Sequence, residues 1–290
     1  MLFSAILTGL VLGGTYALVA MGLTLQYGVA RIMNLAYGDI IIAASFGAFV
    51  LFTAFGVNPL LGMLIVIPAG FALSWLIYAV MLQPLARRSR DRGRLEGDSI
   101  LATFGLLFVI QGVALVIFGA GFQSYSFLAV PVDILGTTIA ANRLLAFVLA
   151  VVFGLGLWLM LTRTRFGTVI RAVAANPASA PLVGINVDSV ARFAFALGGA
   201  LAAAGGVVVS MYLTFSATMG VIFTMKALIV VIMGGVGNLM GALAAGLILG
   251  LVETLVASFI DPGLTLAATY LIFLAVLVIR PQGLFGKAAR

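Results

Sequence analysis

Long apolar windows alternate along the chain with charged residues, prolines and short polar clusters. A bilayer core of about 30 Å needs roughly 20 apolar residues in a helix, and this requirement identifies eight windows as membrane spans. The predicted spans are Leu2–Gln26, Asn34–Thr53, Leu60–Leu82, Ser99–Phe118, Leu144–Leu161, Val190–Leu213, Leu239–Ile260 and Leu264–Ile279. A ninth apolar piece, Val221–Val236, contains Lys226 and ends in glycines, which indicates a short crossing or a broken helix. The pattern predicts an all-α polytopic membrane protein.

The amino-acid composition supports this class of protein and excludes several kinds of catalytic and metal-binding site. Of the 290 residues, 64% are apolar and 8% are charged, whereas soluble domains carry about 25% charged residues. The chain has no His, and its cysteine count is 0, so disulfides, His/Cys metal sites and the chemistry of zinc-dependent intramembrane proteases are excluded. The usual base for a nucleophilic Ser is also missing, and no second intramembrane Asp is present for an aspartyl protease. We therefore expect a protein that is not an enzyme and that carries no nucleotide site.

The basic residues predict the orientation in the membrane. The net charge of +7 comes from residues in loops between spans, which favours an orientation signal over a nucleic-acid surface. Placing loop 83–98 in the cytoplasm puts 13 of the 15 basic residues inside if Val221–Val236 crosses, and leaves Arg143 and Lys226 on or near the outer side. The inner set is Arg31, Arg87, Arg88, Arg90, Arg92, Arg94, Arg163, Arg165, Arg171, Arg192, Arg280, Lys287 and Arg290. The amino terminus is then outside, and the carboxyl terminus is inside.

The same topology divides the loops. We predict one transmembrane domain over residues 1–290, with a cytoplasmic loop at 162–189 and a periplasmic loop at 119–142. The outer loop is rich in glycine and β-forming residues, which predicts a small surface hairpin. The first residues carry no basic n-region, so the first apolar stretch is expected to be a retained span rather than a cleaved signal peptide.

Three ionisable residues fall within apolar windows: Asp39, Lys226 and Glu253. A charge at mid-bilayer costs from about 3 kcal/mol upward, so each is expected to face the bundle interior or water. Asp39 lies near the start of its span, where solvation at the inner interface is an equal alternative. Glu253 lies deeper, and either a functional contact or a structural pair with a neighbouring Thr or backbone group would satisfy it.

Glycines fall into two groups. Pairs four residues apart, Gly9 with Gly13, Gly237 with Gly241 and Gly246 with Gly250, predict close helix packing. Gly234, Gly235 and Gly237 instead cluster beside Asn238 at the end of the short apolar piece. That cluster is typical of a broken helix, whose freed backbone groups are tolerated only inside protein or along a wet cavity.

The stretch RAVAANPASAPLVGIN, residues 171–186, interrupts the hydrocarbon pattern. Asn176 followed by Pro177 is a favourable helix start, and Gly184 is a natural helix end. The predicted helix between them would be near 10 Å long, too short to span the bilayer, and would lie along the membrane surface. On pattern alone, it could be an ordinary amphipathic connector.

Four motifs together resemble one family. RAVAANPASAPLVGIN, with VDSVARFAFALGGALAAAGGVVV after it, resembles the cytoplasmic coupling loop of LivH-type permeases, which belong to the ATP-binding-cassette import systems for branched-chain amino acids. GLTLQYGVARIMNLAYGDIIIAASF, MKALIVVIMGGVGNLMGALAAGLILGLVE and RPQGLFG are similar to the second span, the glycine-rich segment and the terminus of that family. Two features depart from it: Tyr37 and Asp39 stand where the family often has His and Glu, and Pro181 interrupts the short helix.

The resemblance implies an importer-permease bundle of about eight full helices plus one short or broken helix, in the bacterial inner membrane. It implies a second, similar permease subunit, two cytoplasmic ATP-binding subunits that use ATP and Mg, and a periplasmic binding protein as partners; this chain itself would bind no cofactor. The expected cargo is a branched-chain or related amino acid, an amide or urea. The competing interpretation is a stand-alone ion-coupled carrier or channel.

The resemblance also assigns residues to two roles. Contact with the ATP-binding subunits is expected at Arg171, Asn176, Pro177, Ala180, Leu182, Gly184, Ile185 and Asn186. The translocation pathway is expected to include Gln26, Asn34, Tyr37, Gly38, Asp39, Gly234, Gly235, Gly237, Asn238 and Glu253.

Overall fold

The computed structural model describes residues 2–89, 92–134 and 137–286, and this part of the chain is almost entirely helical. The α-helices are α1 (Leu2–Ala30), α2 (Tyr37–Thr53), α3 (Pro59–Ile77), α4 (Gln83–Arg88), α5 (Arg92–Phe118), α6 (Ala141–Arg163), α7 (Arg165–Ala175), α8 (Val187–Ser210), α9 (Gly220–Gly234), α10 (Leu239–Phe259) and α11 (Thr265–Ile279). A π-helical turn at Tyr78–Leu82 joins α3 to α4, and 3-10 turns lie at Ala180–Val183 and Pro262–Leu264.

Seven helical segments within the described residues are long and apolar enough to cross a membrane. They are α1, α3 continued through α4, α5, α6, α8, α10, and α11 with the 3-10 turn before it. The two remaining apolar helices, α2 and α9, have 17 and 15 residues. The predicted all-α polytopic class is confirmed.

The second predicted span differs from its prediction at its start. Asn34–Thr53 is helical only from Tyr37, and residues 31–36 form an irregular connection from α1. Arg31 has a left-handed φ of 55°, which ends α1, and the Asn34 side-chain oxygen accepts a hydrogen bond from the Ala36 amide at 3.1 Å. An Asn side chain that binds the backbone two residues on stabilises a turn at the expense of a helix. The helix therefore starts three residues later than predicted.

The two short helices α2 and α9 meet at their amino-terminal ends. The Gly38 amide donates to Thr224 Oγ1 at 2.8 Å, and Thr224 Oγ1 donates to the Leu35 carbonyl oxygen at 3.0 Å. A Cβ on Gly38 would overlap the carbonyl oxygen of Gly220, so only glycine permits this approach. At 1.5 Å per residue, the 15 residues of α9 cover about 22 Å, less than the bilayer core, as predicted for a short or broken helix.

Helix α1 and helix α10 pack at glycines along their length. A Cβ on Gly246 would overlap the Ala17 backbone, and one on Gly250 would overlap the Gly13 backbone. These contacts confirm the packing predicted for the pairs Gly9–Gly13 and Gly246–Gly250. The pair Gly237–Gly241 was predicted wrongly, because Gly237 lies in the turn before α10 and a Cβ there would meet no close neighbour. Helix α8 forms the centre of the bundle, and nearly all its residues from Ala194 to Ser210 are buried.

Two ends of the bundle differ in charge. The hairpin end carries the start of α1 and a hairpin of strands β1 (Pro131–Ile134) and β2 (Thr137–Ala140), in which Val132 pairs with Ile139. The basic end carries α4, α7, the turn at Ala180–Val183 and residues 280–286. The hairpin predicted within 119–142 is confirmed. Arg90, Lys287 and Arg290, which entered the orientation prediction, lie outside the described residues.

Candidate functional site

The surface segment at the basic end has a different helix from the predicted one. Helix α7, Arg165–Ala175, begins where Thr164 Oγ1 accepts from the Gly167 amide at 3.1 Å, and it buries Gly167, Ile170 and Val173 on one face. Sequence reasoning missed it, although the Thr cap and the three-residue spacing of the buried positions were visible in the sequence.

The helix predicted from Pro177 to Gly184 is wrong in its bounds. Asn176 ends α7, and its side-chain oxygen accepts from the Ala178 and Ser179 amides at 3.1 and 3.2 Å, which folds the chain into a turn. Only Ala180–Val183 is helical, as a single 3-10 turn, because Pro181 has no amide hydrogen to extend a longer ladder. Gly184 ends that turn with a left-handed φ of 78°, as predicted.

The predicted coupling residues form one continuous surface segment. Leu182 is 86% exposed and Val183 is 74% exposed, whereas Ala180 is buried beneath them. Asn186 then caps α8, because its side-chain oxygen accepts from the Ser189 amide at 3.1 Å. The exposed turn is therefore joined to the central helix of the bundle by only two residues beyond Gly184.

An ionic network fixes the start of α8 to α4. Arg87 donates to Asp188 Oδ2 through Nε at 3.0 Å and through Nη2 at 2.9 Å, and Gln83 donates to the same oxygen at 3.3 Å. Arg192 donates to Gln83 Oε1 and lies over the Trp75 ring, with 5.1 Å between the guanidinium carbon and the ring centroid. The network thus connects α4 directly to α8, the helix that follows the surface segment.

Three predicted pathway residues form a buried network around the start of α2. Gln26 Nε2 donates to the Phe195 carbonyl oxygen at 2.9 Å, and Asn34 Nδ2 donates to Gln26 Oε1 at 3.1 Å. The Tyr37 hydroxyl donates to the carbonyl oxygen of Val19 at 2.8 Å. The structure therefore brings Gln26, Asn34 and Tyr37 together between α1, α2 and α8.

Asp39 lies in the first turn of α2, beside the amino-terminal end of α9. It is 2% exposed, and neither carboxylate oxygen has a hydrogen-bond partner among the described residues. A Cβ on Gly220 would overlap Asp39 Oδ1, which places the carboxyl group directly against the start of α9. Helix amino termini favour negative charge, so two helices orient partial positive charge towards this group.

Glu253 belongs to a separate polar cluster in the carboxyl-terminal third of α10. Its Oε2 accepts from Lys226 Nζ at 2.9 Å and from the Tyr16 hydroxyl at 2.7 Å, and its Oε1 accepts from Thr269 Oγ1 at 2.7 Å. Lys226 also donates to the Tyr16 hydroxyl at 2.5 Å. Sequence reasoning considered a Thr partner for Glu253 but missed Lys226, although two opposite charges in apolar windows were the available signal.

The glycine cluster after α9 forms a tight turn at the basic end. Gly235 and Gly237 have left-handed φ values of 95° and 79°, and Asn238 Oδ1 caps α10 by accepting from the Gly241 amide at 3.1 Å. Asn238 Nδ2 donates to the Phe285 carbonyl oxygen at 2.9 Å, so residues 280–286 pack over the turn. A cavity of about 640 Å³ borders this turn, and of the predicted pathway residues only Gly237 and Asn238 line it.

The predicted pathway residues thus occupy three places: the network and helix junction from Gln26 to Asp39, the Glu253 cluster, and the glycine turn. No group of three His, Cys, Asp or Glu side chains in residues 2–89, 92–134 and 137–286 could hold a metal ion.

Short helices that meet inside a bundle of long apolar helices, as α2 and α9 do, are typical of polytopic transport proteins. Comparison with known proteins narrows the class. The chain belongs to the family of permease components of branched-chain amino acid transport systems, whose model matches residues 5–280.

Named relatives extend over nearly the whole chain. The high-affinity branched-chain amino acid transport system permease protein BraD of Pseudomonas aeruginosa is 27% identical over 97% of this chain and 95% of the relative. The probable branched-chain amino acid transport permease protein LivH of Methanocaldococcus jannaschii is 30% identical over 93% of this chain and 88% of the relative. A solved structure of PsaBC from Streptococcus pneumoniae in complex with Fab is similar in fold, with a TM-score of 0.52, 14% identity and coverage of 97% of this chain and 92% of that chain.

Proposed function

We propose that the chain is the membrane-spanning permease subunit of an ATP-driven importer for branched-chain or related amino acids. The observation that carries this proposal is the family match over residues 5–280. In this proposal a second permease subunit, two ATP-binding subunits and a periplasmic binding protein complete the importer. The ATP-binding subunits use ATP and Mg, and this chain binds neither.

The charge distribution supports an orientation with the basic end in the cytoplasm. Arg31, Arg87, Arg171 and Arg192 lie towards that end, whereas Arg143 begins α6 at the hairpin end. The amino terminus is then outside and the carboxyl terminus inside. This orientation presents the turn at Ala180–Val183 to the ATP-binding subunits.

Contact with an ATP-binding subunit would reach the interior through α8. Leu182 and Val183 offer the exposed apolar contact, and Asn186 joins the turn to α8. Helix α8 carries Phe195 and Gly198, whose carbonyl oxygens accept hydrogen bonds from Gln26 and Tyr37. A displacement of the turn is therefore transmitted by a rigid helix to the network at the start of α2, where we place the translocation pathway.

Transport by the assembled complex tests the function. Proteoliposomes that contain this chain with its ATP-binding subunits and partner permease should accumulate labelled leucine only when binding protein and ATP are both supplied. Unlabelled isoleucine and valine should compete, and amides and urea should not. Uptake by this chain alone under an ion gradient would show a stand-alone carrier and overturn the proposal.

A charge at Leu182 tests the coupling segment. L182D should abolish ATP-driven uptake without preventing membrane insertion. Leu182 is exposed in this chain, and a charge there would be buried against the apolar surface of the ATP-binding subunit and would weaken that contact. The matched control L182M keeps the apolar surface and should retain uptake. ATP-driven uptake by L182D equal to that of L182M would contradict the assignment.

A further inference from the structure

The cavity at the basic end contains a polar group that the described residues do not satisfy. It lies between α1, α6, α7 and the turn that begins α10, and it has a volume of about 640 Å³. Thr24 on α1 lines it and is 2% exposed, and its hydroxyl has no hydrogen-bond partner among the described residues. A buried hydroxyl without a partner is unusual, because the large majority of buried polar atoms are hydrogen-bonded. The cavity thus offers an unused hydrogen-bond donor.

The charged residues at this cavity are all basic. Arg31 and Arg171 line it, and no Asp or Glu does. Neither arginine forms an ion pair with a residue in the described part of the chain. Arg31 adopts a left-handed φ of 55°, a conformation uncommon outside glycine, at the point where α1 ends. Two arginines without an ion-pair partner among the described residues and a buried hydroxyl are groups that can donate hydrogen bonds to an anion.

The rest of the wall is mostly apolar, with Thr162 and Asn238 as its polar residues. Its apolar surface includes Trp158, Leu161, Ile170 and Phe285. Tryptophan is enriched at membrane–water interfaces because its ring is apolar and its N–H is polar. The cavity therefore combines hydrogen-bond donors for an anion with an apolar surface, at the basic end of the bundle.

We infer that this cavity binds the phosphate of an anionic phospholipid, with the acyl chain along the apolar wall. A basic pocket between transmembrane helices is a known way of recognising acidic headgroups. From the contribution of each arginine near a membrane surface, we expect the site to prefer phosphatidylglycerol over phosphatidylcholine by roughly 30-fold, and single arginine variants to lose about 5-fold of that preference. The inference does not depend on which solute the protein transports.

The two tryptophans of the chain allow a direct test, because Trp158 lines the cavity and Trp75 does not. The full chain carrying W75F, so that Trp158 is the only fluorophore of its kind, is placed in nanodiscs of phosphatidylcholine. Dibrominated phosphatidylglycerol or dibrominated phosphatidylcholine is added at the same mole fraction. Bromine quenches tryptophan on contact, so quenching of Trp158 reports occupancy of the cavity.

We expect brominated phosphatidylglycerol to quench Trp158 at far lower mole fractions than brominated phosphatidylcholine. The R31Q/R171Q variant should remove this difference, and T24V should reduce it. R165Q, which changes an exposed arginine on α7 outside the cavity lining, should leave it intact and serves as the matched control. An unchanged far-ultraviolet circular-dichroism spectrum and an unchanged unfolding midpoint in every variant show that the chain is folded.

A soluble competitor distinguishes a lipid from a free anion. Millimolar inorganic phosphate should not displace brominated phosphatidylglycerol, because it lacks the acyl chain. Displacement by inorganic phosphate would show a free-phosphate site and overturn the assignment to lipid. Equal quenching by the two brominated lipids, or undiminished preference in R31Q/R171Q, would overturn the anion site itself.

Discussion

The Glu253 cluster provides the sharpest test of the interior. The perturbation is a pair of isosteric neutral substitutions, E253Q and K226M, made singly and together. Glu253 accepts three hydrogen bonds, from Lys226 at 2.9 Å, Tyr16 at 2.7 Å and Thr269 at 2.7 Å. The Glu253 and Lys226 side chains are 5% and 17% exposed, so neither charge is screened by much solvent.

The expected loss in the free energy of unfolding depends on which charge each substitution leaves without a partner. E253Q removes the anion and leaves the Lys226 ammonium with the Tyr16 hydroxyl and its ring, so a loss of about 3–5 kcal/mol is expected, as for breaking buried pairs. K226M leaves the carboxylate with two hydroxyl donors, each worth about 1.5–3 kcal/mol, so a smaller loss is expected. In the double variant no buried charge is left without a partner, and replacing a buried ion pair by uncharged groups often changes stability little.

The assay is a double-mutant cycle on the free energy of unfolding in mixed micelles, with sodium dodecyl sulfate as the denaturant. The coupling energy should exceed about 2 kcal/mol, compared with about 0.6 kcal/mol for an average hydrogen bond between membrane helices. The exposed pair Arg87–Asp188 is the matched control, and the cycle with R87M and D188N should give at most about 1 kcal/mol. A Glu253–Lys226 coupling no larger than that of the control would refute the buried ion pair.

Two further predictions concern the junction of α2 and α9. G38A should lower the free energy of unfolding by about 1–3 kcal/mol or more, since the new Cβ would overlap the Gly220 carbonyl oxygen. G105A on α5, where a Cβ would meet open space, should change the free energy of unfolding by less than about 1 kcal/mol, and equal effects of the two substitutions would contradict the close approach. D39N should leave the unfolding midpoint unchanged or raise it. The two helix termini offset only about 0.3–1 kcal/mol of the larger cost of burying a carboxylate without a hydrogen bond. A clear fall in the unfolding midpoint of D39N would show that the Asp39 carboxylate has a partner.

The fold could be predicted largely because lipid allows few alternatives. Backbone groups cannot remain unpaired in hydrocarbon, so a window of about 20 apolar residues has to be helical. The start of α2 could not be predicted in the same way. Hydropathy separates the first two apolar windows but does not fix the residue at which the second helix starts. That start depends on the hydrogen bond from the Ala36 amide to the Asn34 side-chain oxygen and on the left-handed φ of Arg31.

The candidate site was predictable where a local signal exists. Gly184 ends its turn because the left-handed conformation favours glycine, and this requirement is visible in the sequence. The pairing of Lys226 with Glu253 and Tyr16 joins residues 27 and 210 positions apart, and no local pattern encodes such contacts. Helix α7 was missed for a different reason, because Asn176–Pro177 is an equally good signal for a helix start and for the turn that follows a helix.

Helix α9 touches each of the polar places in the interior, and the strength of its contacts differs from one to the next. At its start, the Gly38 amide donates to Thr224 Oγ1, which donates to the Leu35 carbonyl oxygen, and the Asp39 carboxylate of α2 lies against Gly220 without a hydrogen-bond partner among the described residues. In its middle, Lys226 binds a carboxylate on α10 that also binds α11 through Thr269. At its end, Leu284 donates to the Met233 carbonyl oxygen at 2.7 Å. The charged contact is worth more than a neutral one, so these polar contacts hold α9 to α10 more strongly than to α2. If α9 moves relative to a neighbouring helix during transport, we expect it to separate from α2 rather than from α10, because only neutral hydrogen bonds break at the Gly38–Gly220 junction.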